Sequence, residues 1–176
     1  MARIVALTGT PGTGKTAVSE VLRGRGFDVV DLNALARERG TLSVHDETRD
    51  TWEVDLAALG NALGERAARA GADAIISEGH LAHLLPCEGI VVLRCEPCAL
   101  RERLRQRDYP ERKVEENVWA EALSVISVES REMGVPVSDV DTTCLTAEQA
   151  AGEVMTAMSG EGTGAIEWTG WVLENA

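Results

Sequence analysis

Residues Gly9-Thr-Pro-Gly-Thr-Gly-Lys15-Thr16 fit the pattern G-x-x-x-x-G-K-[ST], and nothing else in the 176-residue chain restricts its fold as tightly. The apolar run Ile4–Leu7 leads into the motif, and helix-forming Ala17–Leu22 leads out of it. That strand–loop–helix setting separates a phosphate-binding loop from a chance match. Glycines let consecutive backbone N–H groups turn inward around phosphate oxygens with no Cβ in the way. A helix starting near Lys15 adds its positive N-terminal end. Lys15 can then reach the β- and γ-phosphates, and the Thr16 hydroxyl can ligate Mg2+. Gly12, Thr13, Gly14, Lys15 and Thr16 are the candidate ATP-binding residues.

The rest of the chain alternates strand and helix patterns. Strands are expected around Val5, at Phe27–Asp31, Ala74–Ile76, Ile90–Leu93 and Val135–Val140. Helices are expected near 15–24, at Ala34–Arg39, Val54–Ala70, Cys98–Arg107 and Thr146–Met158, the last with Thr146 as N-cap. Thr41–Thr51 is polar and reads as irregular. A basic, proline-containing turn, Arg107–Lys113, precedes one long helix running to about Glu132. This alternation implies an α/β P-loop NTPase fold, a parallel five-stranded sheet flanked by helices of the nucleoside monophosphate kinase type. Ligands in such folds sit at the carboxyl ends of the strands. One domain is expected over residues 1–160, followed by a tail at 161–176. Trp168 and Trp171, three apart in an amphipathic stretch, are expected to dock on the protein's own body.

Composition narrows the setting. The chain is 44% hydrophobic, enough for a core. Its longest apolar runs fall far short of the ~20 residues of a membrane span, and a cytoplasmic location is expected. A net charge of −12 does not attract bulk nucleic acid, so no direct nucleic-acid partner is expected. Four cysteines stand at 87, 95, 98 and 144. Cys95-Glu-Pro-Cys98 has the spacing of half a zinc site, but both residues read more simply as small buried or cap-region residues.

Three features bear on the reaction. Glu78 follows an apolar strand, where a Mg2+-organising carboxylate belongs. Arg103 and Arg107 are four apart on one helix face and run into the turn carrying Arg112 and Lys113. Phosphoryl transfer needs cations over the moving group and a lid to exclude water. Arg37, after the second strand, could grip a phosphate on a second substrate. Of the histidines His45, His80 and His83, only His80 is a residue to watch; His83 reads as a surface or core histidine. The Asn-Lys-x-Asp string that reads guanine in switch GTPases is absent.

Together, Gly9–Thr16, Asp31-Leu-Asn-Ala-Leu-Ala-Arg37-Glu38, Glu78-Gly-His80, Asp139-Val-Asp-Thr-Thr143 and the string Arg103, Arg107, Tyr109, Lys113, Asn117, Glu121 resemble adenylate kinase isoenzyme 6 and its archaeal relatives, over roughly residues 3–158. The resemblance implies ATP plus AMP giving two ADP, with Mg2+. It implies an AMP-binding region at about 31–70 with Arg37 on the AMP phosphate, and a short lid at about 107–113. Arg103 would lie along the ATP base side, with Arg107 and Lys113 on the phosphates. Glu78 and His80 match an acidic-x-His element that begins with Asp in eukaryotic members; with Thr16, Glu78 would hold the metal. The family is also linked to an ATPase role in maturing the small ribosomal subunit, through a ribosomal protein partner. Two alternatives from the residues themselves are an ATP-gated assembly factor and a kinase of another small acceptor.

Overall fold

The computed structural model describes residues 1–46 and 51–176; of residues 42–46 and 51–53 only the backbone is considered. The chain runs β1 (Arg3–Gly9), α1 (Lys15–Gly24), β2 (Asp28–Asp31), α2 (Leu32–Arg39), β3 (Leu42–Asp46), β4 (Thr51–Val54) and α3 (Leu56–Ala68). It continues through β5 (Ala74–Glu78), β6 (Gly89–Arg94), α4 (Pro97–Arg105), α5 (Glu111–Ala122) and α6 (Val125–Glu132). The last elements are β7 (Val137–Asp141), α7 (Ala147–Thr156) and α8 (Thr169–Asn175).

Five strands form one sheet in the order β2-β5-β1-β6-β7, every pairing parallel. Such a sheet is buried on both faces, and β1 shows how its sequence serves both. Ile4 and Ala6 enter a core with α2 and α3, through Leu35, Leu59 and Leu63. Val5 and Leu7 enter the opposite core with α1 and α7, through Val18, Leu22, Ala151 and Val154. A third cluster, Cys95, Leu100, Leu104, Val114 and Val118, joins α4 to α5 beyond the sheet. The register sets Glu78 beside Leu7 on one side and Asp31 on the other, at the carboxyl edge. Asp31 caps α2 by accepting from the N–H groups of Asn33 and Ala34 at 2.8 and 3.1 Å.

The structure corrects three expectations. Thr41–Thr51 is not irregular throughout: β3 and β4 pair antiparallel as a separate two-stranded sheet, while residues 47–50 lie outside the described residues. The single long helix to Glu132 is two helices, α5 and α6, parted at Ser124 with φ +56°. There Arg94 Nη2 donates to the Glu121 carbonyl at 3.1 Å and to the Ser124 hydroxyl at 2.9 Å, and the same carbonyl accepts from Ser124 N at 2.9 Å in a tight last turn. The turn after α4 is also shorter than 107–113, because α5 begins at Glu111.

The tail closes over this junction. Ile166 N donates to Asp139 Oδ2 at 2.9 Å, and Arg94 Nη1 donates to the Ile166 carbonyl at 2.7 Å. Trp171 meets Trp119 edge to face, with centroids 5.2 Å apart, and the Arg101 guanidinium stands 5.5 Å from its ring centroid. No helix among the described residues is long and apolar enough to cross a membrane.

Candidate active site

The phosphate loop joins the carboxyl end of β1 to α1, and its glycines are required by contact as well as by φ. At Gly9 (φ +142°) a Cβ would lie 2.4 Å from the Leu93 carbonyl oxygen; at Gly12 (φ +93°) it would lie 2.8 Å from Leu100 Cδ1. The loop therefore lies flat on β6 and α4. Its internal bonds converge on Thr10, whose carbonyl accepts from Thr13 N (3.2 Å), Thr13 Oγ1 (2.8 Å) and Lys15 Nζ (3.1 Å). Lys15 also donates to the Gly9 carbonyl at 2.7 Å. The Thr142 hydroxyl, after β7, lies 2.8 Å from the Thr13 carbonyl and 2.9 Å from that of Arg94.

Burial reshapes the charges here. It lowers the Lys15 pKa to about 8, against the upward pull of Glu78 and Glu121 and with Arg107 adding to the fall. Glu78, only 8% exposed, is raised first by burial and then by Asp31, with Lys15 and Arg23 opposing. The His80 pKa is lowered by desolvation and by Lys15 and His83, which favours the neutral ring.

A cavity of about 210 Å³ opens over the loop, and it gathers Lys15, Thr16, Glu78, His80 and Arg107 with Asn33 and Tyr109. A second, of about 400 Å³, lies beyond Gly12–Gly14 between Arg103 and Arg107 on one side and Leu145, Ala147 and Ala150 on the other. Arg107 borders both. Arg103 is held by the carbonyls of Thr142 (2.8 Å) and Thr143 (2.9 Å).

Two candidates stand apart from these cavities. Arg37 is exposed on α2 and lines neither, though it sits one turn from Asn33, which lines the smaller. Lys113 lies inside the first turn of α5 and lines neither. Arg112 pairs with Glu116 at 2.9 Å on the surface. His83 is a core residue, between Thr8 Oγ1 (3.2 Å) and Glu129 Oε2 (3.1 Å). Burial pushes the Cys95 thiol up to about 11, and exposed Cys98 Sγ accepts from Trp171 Nε1 at 3.2 Å.

Asn33, Tyr109 and Thr142 had no assigned role in the sequence. Tyr109, the one tyrosine of the chain, in a basic turn, carried a usable signal. Asn33 and Thr142 follow strands β2 and β7 by two residues and one, so the strand-end rule reaches them only once the strand order is known.

Mg2+ fits the donors present. Glu78 is a buried carboxylate whose side chain has no hydrogen-bond donor among the described residues, and the Thr16 hydroxyl lines the same cavity. Mg2+ takes hard oxygen ligands, one or two from protein and the remainder from water and phosphate.

A parallel sheet in this order, with a glycine-rich loop at the carboxyl end of its central strand, defines a P-loop nucleotide-binding fold of the small-kinase type. Solved structures agree on the fold: TT1252 from Thermus thermophilus superposes over 93% of this chain and 99% of its own, with a TM-score of 0.62 at 18% identity. Shikimate kinase from Bacteroides thetaiotaomicron covers 89% of this chain and 98% of its own at TM-score 0.58 and 18% identity. The family model described as an AAA domain matches residues 5–124. The relative from Methanothermobacter thermautotrophicus, named "Putative adenylate kinase", is 40% identical over 97% of this chain and 99% of its own. Equally named proteins of Archaeoglobus fulgidus and Natronomonas pharaonis are each 41% identical, over 90% and 92% of this chain and 83% and 94% of their own. The chain belongs to this adenylate-kinase-like family.

Proposed function

We propose that the protein is an adenylate kinase of the isoenzyme 6 type, transferring the γ-phosphoryl of ATP to AMP. One observation carries the reading: Lys15, Thr16, Glu78, His80 and Arg107 meet in one cavity that adjoins a second, larger one through Arg107. The larger cavity takes the adenosine, with Arg103 along the base side and Leu145, Ala147 and Ala150 as its apolar wall. The smaller takes the β- and γ-phosphates and the acceptor phosphate. Asn33 lines that cavity, and Arg37, one turn further along α2 within the AMP-binding region at about 31–70, would take the AMP phosphate.

Lys15 exchanges its two carbonyl partners for phosphate oxygens, and phosphate binding restores its full protonation. Thr16 and Glu78 would hold Mg2+, which when bound would supply positive charge against that of the phosphates. Arg107, on the turn between α4 and α5, faces the transferred group as the lid at about 107–113 closes, with Lys113 brought nearer by that motion. His80, whose ring is shifted toward the neutral form by burial and by the neighbouring Lys15, stands in the same cavity to orient the phosphates. No covalent intermediate is needed; positioning and charge do the catalysis.

The test is ADP formation from Mg·ATP with and without AMP, then with CMP, UMP or shikimate in its place. Large stimulation by AMP, with two ADP per ATP consumed, supports the reading. Hydrolysis indifferent to every acceptor would overturn it and favour an ATPase acting in small ribosomal subunit maturation.

A further inference from the structure

Glu121 lines neither cavity, yet it reaches the phosphate loop. Its carboxylate sits on α5 at 2% exposure, and its two oxygens divide their partners. Oε1 accepts from Arg94 Nε (2.7 Å), Cys95 N (3.1 Å) and Trp168 Nε1 (3.3 Å). Oε2 is given over to the Thr10 hydroxyl, at 2.5 Å. An O–H···O⁻ bond of that length is of the short, charge-assisted kind. Pairing with Arg94 needs one oxygen; the other spans 111 positions of sequence to hold the second residue of the loop.

Thr10 is the loop's internal junction, since its carbonyl holds Thr13 N, Thr13 Oγ1 and Lys15 Nζ. When Lys15 leaves that carbonyl for a phosphate, the loop loses one of its own restraints. The Glu121–Thr10 bond uses the hydroxyl rather than that carbonyl and does not have to break. Preorganised donors are effective only if they keep their places as charge moves. We propose that Glu121 is a positioning residue for phosphoryl transfer, fixing the phosphate loop through the Thr10 hydroxyl, and that the tail completes its setting through Trp168. This rests on the kinase reading above.

The experiment compares Thr10→Val, Thr10→Ser, Glu121→Gln and the pair Thr10→Val/Glu121→Gln in the full chain, measuring MgATP affinity, kcat, KM and melting temperature. Loss of one charge-assisted bond predicts a fall in kcat/KM of about tenfold or more for Thr10→Val, together with a lower melting temperature because Glu121 Oε2 is left buried without that partner. Thr10→Ser, which keeps the hydroxyl, stays within about twofold of wild type. Adding Thr10→Val to Glu121→Gln costs little beyond Glu121→Gln alone. The proposal is overturned if Thr10→Val matches wild type while Thr10→Ser is impaired, because that is a packing role, or if the two losses multiply. Should Glu121→Gln fail to fold, the Val/Ser comparison decides by itself. A wild-type chain that bound no MgATP would bring down the kinase reading as well, whereas a binding-competent wild type with an indifferent Thr10→Val sinks only this assignment.

Discussion

Arg94 and Lys15 both carry positive charge into the interior near the carboxyl edge of the sheet, and their surroundings differ. Arg94, 1% exposed, meets Glu121 at 2.7 Å and Asp139 at 2.9 Å, both also buried, and spends its other N–H groups on Ser124 and two carbonyls. Arg131 adds a second contact to Asp139 at 3.2 Å. That cluster is closed. Lys15 has two carbonyl partners and no ion pair among the described residues, and its pKa falls to about 8. A buried charge whose pairing is complete asks nothing of a ligand; one left partly paired is a place where an anion gains by arriving.

Lys15→Met gives the sharpest break between the two sites. Turnover should fall on the order of 10³-fold or more, as expected for losing a preorganised donor to the transferred phosphoryl. Stability should move the other way. A lysine depressed from 10.5 to about 8 weakens the fold wherever the unfolded chain stays protonated, by up to about 3 kcal/mol. That penalty is full below pH 8 and relieved as pH rises from 8 to 10.5, so the advantage of Lys15→Met in urea denaturation should shrink across that window. A less stable Lys15→Met at pH 7 would mean the ammonium is better paired than its surroundings indicate.

Arg94→Met should do the reverse, costing about 3–5 kcal/mol because Glu121 and Asp139 are left buried without their cation. Denaturation by urea at pH 7 measures it, and a loss below about 1 kcal/mol would show that the cluster is not closed after all. Arg107→Gln should leave stability within about 0.5 kcal/mol, since the side chain is exposed, but lower kcat more than ATP affinity, by roughly 10²-fold. Equal losses in both would recast Arg107 as a ground-state contact. The smallest effect is expected of Trp171→Ala, about 1–2 kcal/mol from the lost Trp119 and Arg101 contacts.

The open site was largely legible in the sequence and the closed cluster was not. Lys15 and Thr16 sit in a local motif, Glu78 stands at a strand end, and Arg103 lies on a helix that local patterns reveal; Arg107, expected on the same helix face, stands on the turn after α4, which ends at Arg105. Arg94 reads locally as the polar end of an apolar strand; its burial follows from α5, β7 and the tail arriving together, across 27, 45 and 72 positions of sequence. The break at Ser124 was hidden too, since no glycine or proline marks it in the sequence. β3 and β4 escaped differently. Leu42 and Val44, then Trp52 and Val54, do alternate, but two apolar residues per strand among so many polar ones give too weak a period to distinguish from a loop.

The tail's seat on α5 has an optical consequence. Trp119, Trp168 and Trp171 are three of the four tryptophans in the chain, and all three lie along that seam. The intrinsic tryptophan emission of the unlabelled protein therefore comes mainly from that seam. Tyr109, the sole tyrosine, stands instead at the mouth of the smaller cavity. Two natural chromophores of different wavelength thus stand at two places in the molecule, the tryptophans at the seam and the tyrosine at the cavity.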